Sequence, residues 1–249
     1  MNDFNPAYAR GQTRTLDMSV DAGLRAFMLG VYNKLGLGLV LSAALAYATS
    51  SVPAVRDLLF VVVGNRLVGI TTLGTVVQFL PLVLLFGSMF MMRNPSARGA
   101  SFLYWAVVAS IGASLGLVGL MYTGASIAQT FAITAAAFFG LSLWGYTTKR
   151  NLTGFGSFLI MGLIGLIVAM IVNMFLASPA LMFAISVIGV LIFSGLIAWD
   201  TQRLKMMYAA TAGDTRAMSV ATSYGALSLY IHVINLFQFL LMFFGASRD

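Results

Sequence analysis

Charge is missing from five long stretches of this chain, and that absence limits its fold more than any motif does. Uncharged runs cover 35–55, 67–92, 99–148, 151–199 and 217–247. A bilayer core about 30 Å thick asks for about 20 apolar residues per helical crossing. Three of the runs are long enough for one crossing. The runs 99–148 and 151–199 are long enough for two, and each carries a turn signal near its middle: Tyr122-Thr123-Gly124 in one, Ala177-Ser178-Pro179 in the other. Three singles and two doubles give seven helices. Only 8% of the residues are charged and mean hydropathy is +0.94, whereas a soluble domain carries roughly 25% charged residues. The expected fold class is an all-α membrane protein with seven transmembrane helices. A membrane barrel is excluded, because its strands would alternate polar and apolar residues over about ten positions.

Two segments follow: a polar tail over 1–25 and a seven-helix transmembrane domain over 26–249. The tail lacks the short apolar core and small-residue cleavage site of a signal peptide, so the first helix is expected to act as an uncleaved signal anchor. The longest connections are expected at about 50–72 and 206–222, too short for a folded extramembrane domain. There is no cysteine, hence no disulfide framework and no thiol chemistry.

The net charge of +7 would suggest nucleic acid as a partner for a soluble protein. The positions argue otherwise. With seven spans, Arg10, Arg14, Arg25, Arg93, Arg98, Lys149, Arg150, Arg203, Lys205 and Arg216 fall on one side. Arg56, Arg66 and Arg248 fall on the other, and Lys34 lies just inside the first helix. The positive-inside rule then puts the N-terminus in the cytoplasm and the C-terminus outside. Topology accounts for the basicity, and the partner it implies is the lipid bilayer. Small residues such as Gly112 and Gly116 are read as close packing between helices. Pro81, in the second span, removes one backbone hydrogen bond and is expected to kink it.

The chain's single histidine, His232, lies in the last span. Asp200 lies near the end of the sixth, about eight residues before an expected helix end at Tyr208. His232 lies about ten residues into a seventh helix expected from Thr222. At 1.5 Å per residue the two depths agree to within roughly 3 Å. Tyr224, Ser228, His232 and Asn235 recur at helical spacing, with Gln238 at the edge, and form one polar stripe. Such a stripe is expensive against lipid and is expected to face the bundle interior or a wet cavity. Ser186, Gly189 and Phe193 share a helix face with Asp200. In one reading the pair is structural: Asp200 anchors a helix end and His232 makes one interhelical hydrogen bond. In the other it is functional, because an ionisable group inside a membrane bundle marks a pathway or sensor by default. An imidazole facing a carboxylate would form a pair whose strength varies near neutral pH. Burial lowers a histidine pKa and a carboxylate raises it, so the two effects oppose.

Catalysis finds little support. Ser228 shares the face of His232 one turn away, but nothing suggests an oxyanion hole, as acyl transfer would require. One histidine and one buried acid are too few for zinc. Nucleotide-binding glycine fingerprints are absent, and no lysine in 217–247 is available for retinal. The chain is expected to be neither an enzyme nor a cofactor protein.

Three stretches carry a family resemblance: "FAITAAAFFGLSLWGYTTKRNLTGFGSFL" (131–159), "GLIAWDTQRLK" (195–205) and "ALSLYIHVINLFQFLLMFFG" (226–245). With the opening "VYNKLGLGLVLSAALAYA" (31–48), they resemble the Bax inhibitor family, the transmembrane Bax-inhibitor-motif proteins, and especially its bacterial inner-membrane branch. The resemblance implies six helices around a central seventh. It also implies either a pH-sensitive calcium or cation leak or, for bacterial relatives, binding and modulation of a membrane-bound AAA protease; eukaryotic members suppress cell death. In the leak picture two aspartates, on helices 6 and 7, share a proton and sense pH. Asp200 matches the first, within Asp200-Thr201-Gln202, and His232 stands where the second is expected. Met242 stands where many relatives have arginine, and the second span has no arginine to lock Asp200. The site expected for pH sensing and ion passage is therefore Asp200, His232, Ser228 and Asn235, with a proton-switched Asp–His pair replacing the carboxylate pair. A non-conducting protease regulator is the alternative, and a solute carrier is a further one, since polar groups near the midplane also mark substrate sites.

Overall fold

The computed structural model describes residues 21–64, 66–91 and 95–246. The tail expected over 1–25 lies outside the described residues up to position 20, as do Arg10, Arg14, Arg93 and Arg248. Among the described residues, seven helices are long and apolar enough to cross a membrane. The first is α1 (Ala22–Ser51), four residues longer at its start than expected because Asp21 caps it, accepting from Leu24 N at 3.0 Å. The second is α3 (Thr72–Met91), with Pro81 in its interior. The third span divides at Leu115 into α4 (Ala97–Ser114) and α5 (Gly116–Met121). Then come α6 (Gly124–Thr147), α7 (Thr153–Leu176), α8 (Pro179–Thr211) and α9 (Thr215–Phe244). Both turn signals sit where two spans meet, between α5 and α6 and between α7 and α8.

Two connections differ from expectation. The segment expected as a loop over 50–72 folds into a short helix, α2 (Pro53–Leu59), and an antiparallel hairpin of β1 (Phe60–Val63) and β2 (Arg66–Ile70). Its β-branched run favours strands, and Gly64, just after β1, takes a φ of 64°. The connection expected over 206–222 is almost wholly helical. Only residues 212–214 separate α8 from α9: Gly213 takes a φ of 95°, and Asp214 caps α9 by accepting from Ala217 N at 2.9 Å.

The seventh span is the centre of the bundle. Helix α9 is the most deeply buried of the seven and packs against α1, α4, α6 and α8, while α3 lies outside against α4 and α7 outside against α8. Close backbone approach holds this arrangement. A Cβ on Gly145 of α6 would come within 2.2 Å of the Ala198 carbonyl oxygen of α8, so only glycine fits there. Gly112 and Gly116 serve the packing role read from sequence, meeting Ser42 and Thr49 of α1. Buried hydroxyls tie the helices laterally: Ser42 Oγ lies 2.6 Å from Tyr230 OH, and Tyr104 OH donates to Lys34 O at 2.6 Å.

Candidate functional site

Three consecutive residues of α8 reach three different parts of the bundle, because neighbours on a helix diverge by about 100°. Asp200 points at α9. Thr201 Oγ1 lies 3.1 Å from Ser142 Oγ of α6, which lies 2.7 Å from Tyr32 OH of α1. Gln202 holds the α6–α7 connection, accepting from Leu152 N and donating to Arg150 O, both at 2.8 Å. The carboxylate is thus presented from a segment fixed on two other sides.

Asp200 is 3% exposed. Ser228 Oγ donates to its Oδ2 at 2.5 Å, the length of a charge-assisted bond to a carboxylate. His232 Nδ1 lies 2.9 Å from the same Oδ2. That is an ion-pair distance, but the ring N–H is not aimed along it, and Nδ1 has no hydrogen-bond partner. The contact is therefore an electrostatic one that a small ring rotation would convert into a hydrogen bond. Phe193, itself buried, packs beside the imidazole at 5.9 Å between centroids.

The levels are reached differently from the sequence reading. Asp200 lies eleven residues before the end of α8, not eight, and His232 seventeen beyond the start of α9, not ten. The backbones are then offset by about 9 Å. Side chains lean toward the N-terminus of their own helix, so on antiparallel helices Asp200 and His232 lean toward each other and close the gap. Ser228, one turn nearer the connection, stands almost level with Asp200.

Asn235 does not join this cluster. Its Nδ2 donates to Ile231 O of the preceding turn at 2.8 Å, so the amide is satisfied within α9. The polar stripe also differs from expectation in its burial. The apolar residues of α9 are the deeply buried ones, while Tyr224, Ser228, His232, Asn235 and Gln238 are half-buried along its least covered side. A central helix has neighbours on nearly every face, and the polar stripe takes the side they cover least.

One member of the cluster was not foreseen. Arg203 Nη1 lies 3.5 Å from Asp200 Oδ1, while its guanidinium stacks 5.3 Å from the Trp199 ring. The second span has no arginine to lock Asp200; a guanidinium comes instead from α8 itself, at an (i, i+3) spacing that places both groups on one helix face. With 42% of its side chain exposed, Arg203 is a weak, screened partner. Elsewhere, Lys34 donates to Ser223 Oγ of α9 at 2.8 Å and to Ser101 Oγ of α4 at 3.0 Å, so its charge is held by hydroxyls.

The family described as "Inhibitor of apoptosis-promoting Bax1" matches residues 24–249. A Caulobacter vibrioides protein is 68% identical over 250 residues, covering 100% of both chains. The Escherichia coli (strain K12) "Inner membrane protein YbhL" is 43% identical over 230 residues, 91% of this chain and 94% of that one. A Rickettsia prowazekii protein is 41% identical over 237 residues, 95% and 96% of the two chains. A match this complete, on a bundle of seven spans wound about its last helix, makes the chain a multi-pass membrane protein of the family of inhibitors of apoptosis-promoting Bax1.

Proposed function

We propose that this chain is a pH-responsive cation leak protein of the bacterial inner membrane, with its N-terminus in the cytoplasm. The observation that carries the reading is a buried carboxylate, Asp200, contacted across the α8–α9 interface by both a hydroxyl and an imidazole. When His232 is protonated, the two charges attract and hold α8 against α9. When it is neutral, the carboxylate keeps its charge but loses that tie, and it becomes a lone anionic step for a cation. A single carboxylate holds a divalent ion weakly, which suits passage of a calcium-type ion rather than its storage. Asp200, His232 and Ser228 carry the switch in this reading. Asn235, bonded to its own helix, lines the path without taking part in it.

Catalysis does not suit the same geometry. A nucleophile relay needs histidine between serine and acid, whereas here the carboxylate stands between Ser228 and His232.

Flux of calcium and of monovalent cations into proteoliposomes, measured across about pH 5.5 to 8.5, tests the proposal. Flux is expected to rise with pH as the imidazole loses its proton. Asp200→Asn is expected to bring it near background, and His232→Asp to raise divalent flux by adding a second carboxylate. Flux equal to that of empty liposomes at every pH would defeat the leak. It would favour the regulator reading, which co-purification of a membrane-bound AAA protease would then support.

A further inference from the structure

Helices α1 and α6 both pack on α9 but barely on each other. The space between them is a groove of about 740 Å³ that adjoins a second of about 350 Å³. Leu39, Ala43, Phe131, Thr134 and Val233 border both, so the two form one furrow. It follows α6 from Tyr146 to Ile127, nineteen residues or about 28 Å, close to the thickness of a hydrocarbon core at about 30 Å. Apart from the exposed Tyr47 at the far end, the hydroxyls along it are spent inside the protein. Tyr32 bonds Ser142, and Thr134 Oγ1 donates to Thr130 O at 2.8 Å. What faces outward is hydrocarbon.

The Tyr146 end of this furrow is basic. Counting back along the α1 wall from Tyr32, the same helix face reaches Arg25 two turns earlier, and Arg25 is exposed. On the α6 wall, Lys149 follows the helix end and is exposed. From α8, Lys205 Nζ lies 4.5 Å from the Tyr146 ring and donates to Tyr146 O at 3.1 Å. Among the described residues none of these three cations is in an ion pair.

The geometry points to a binding site for an anionic phospholipid, one acyl chain lying in the α1–α6 furrow and the phosphate held by Arg25, Lys149 and Lys205. A hydrocarbon channel alone would accept any lipid; the basic end selects a negative headgroup. A second copy of the chain is a poor occupant. A two-fold axis along the membrane normal would bring basic end against basic end. The site is independent of the Asp200 cluster and stands whether or not the protein conducts ions.

Native mass spectrometry of the full-length protein, with phosphatidylglycerol or phosphatidylcholine of matched acyl chains, tests this. The wild type is expected to retain phosphatidylglycerol at least about tenfold better. Removing a basic residue near the surface costs about 1 kcal/mol of anionic-lipid attraction, or about fivefold. The double variant Arg25→Gln/Lys149→Gln should therefore lose most of the preference while still binding both lipids. Gly36→Phe fills the furrow from α1, where a Cβ meets nothing within 4 Å, and Ala135→Phe fills it from α6. Either variant, melting near the wild-type temperature, is expected to lower retention of both lipids together. Equal retention of the two lipids by the wild type, or retention unchanged in both filled variants, would overturn the proposal. So would efficient disulfide dimerisation of Val40→Cys in liposomes, since the chain has no other cysteine and such a bond would assign the furrow to a second copy.

Discussion

Removing the carboxylate and the imidazole of the α8–α9 pair, singly and together, measures how strongly they are coupled. At 2.9 Å and an effective dielectric constant of about 20, an ionised Asp200 and a protonated His232 attract by about 6 kcal/mol. Desolvation of both groups takes back most of this. A net coupling of about 1–3 kcal/mol is then expected, the range for residues in direct contact. The attraction exists only while the imidazole is charged and the carboxyl is not protonated. The coupling is therefore expected to be larger with the imidazole protonated than with it neutral. Unfolding free energies from denaturing-detergent titration of wild type, Asp200→Asn, His232→Gln and the double variant, at about pH 5.5 and 8.5, give the coupling at each pH. A coupling below about 0.5 kcal/mol at both values, or no larger at acid than at alkaline pH, would refute the reasoning. The Ser228 bond to Asp200 survives His232→Gln, so it cancels in the cycle.

Two further outcomes test how the cluster is held in place. Gly145→Ala puts a methyl group against the Ala198 backbone, which cannot swing aside, and should cost about 1–3 kcal/mol in the same titration; Gly140→Ala, whose Cβ meets nothing within 4 Å, should cost little. Gln202→Ala removes the two 2.8 Å bonds that fix the α6–α7 connection, each contributing about 0.5–1.5 kcal/mol. Limited trypsin digestion should then cut faster after Lys149 and Arg150, and the unfolding free energy should fall by about 1–3 kcal/mol.

The seven spans were legible because charge is so costly in hydrocarbon that its absence draws their boundaries. The α2 segment and hairpin at 53–70 were not, although Phe60 to Val63 and Arg66 to Ile70 carry a strand composition. A short run between two spans gives no burial pattern from which to read it. The Asp200–His232 approach was legible from rough depth and helical spacing, yet the helix ends behind that estimate were too short on both helices. The lean of antiparallel side chains made up the difference, and composition does not report it. Arg203 was legible in principle, since its spacing of three from Asp200 puts it within reach on one helix face. Asn235 was overvalued. A polar residue on the right stripe can spend its hydrogen bond on its own helix, and spacing alone does not reveal that choice.

The position of α9 also bears on how the chain is assembled. Helix α9 is made after the other six spans and is the one that every inner neighbour leans on, so those earlier segments must wait in the bilayer with a slot left open between them. During that interval Lys34 lacks Ser223, Ser42 lacks Tyr230 and Asp200 lacks Ser228. A chain stopped short of α9 would leave Lys34 with only Ser101 and Asp200 with only the half-exposed Arg203, charged groups that are costly to hold in lipid with so few partners.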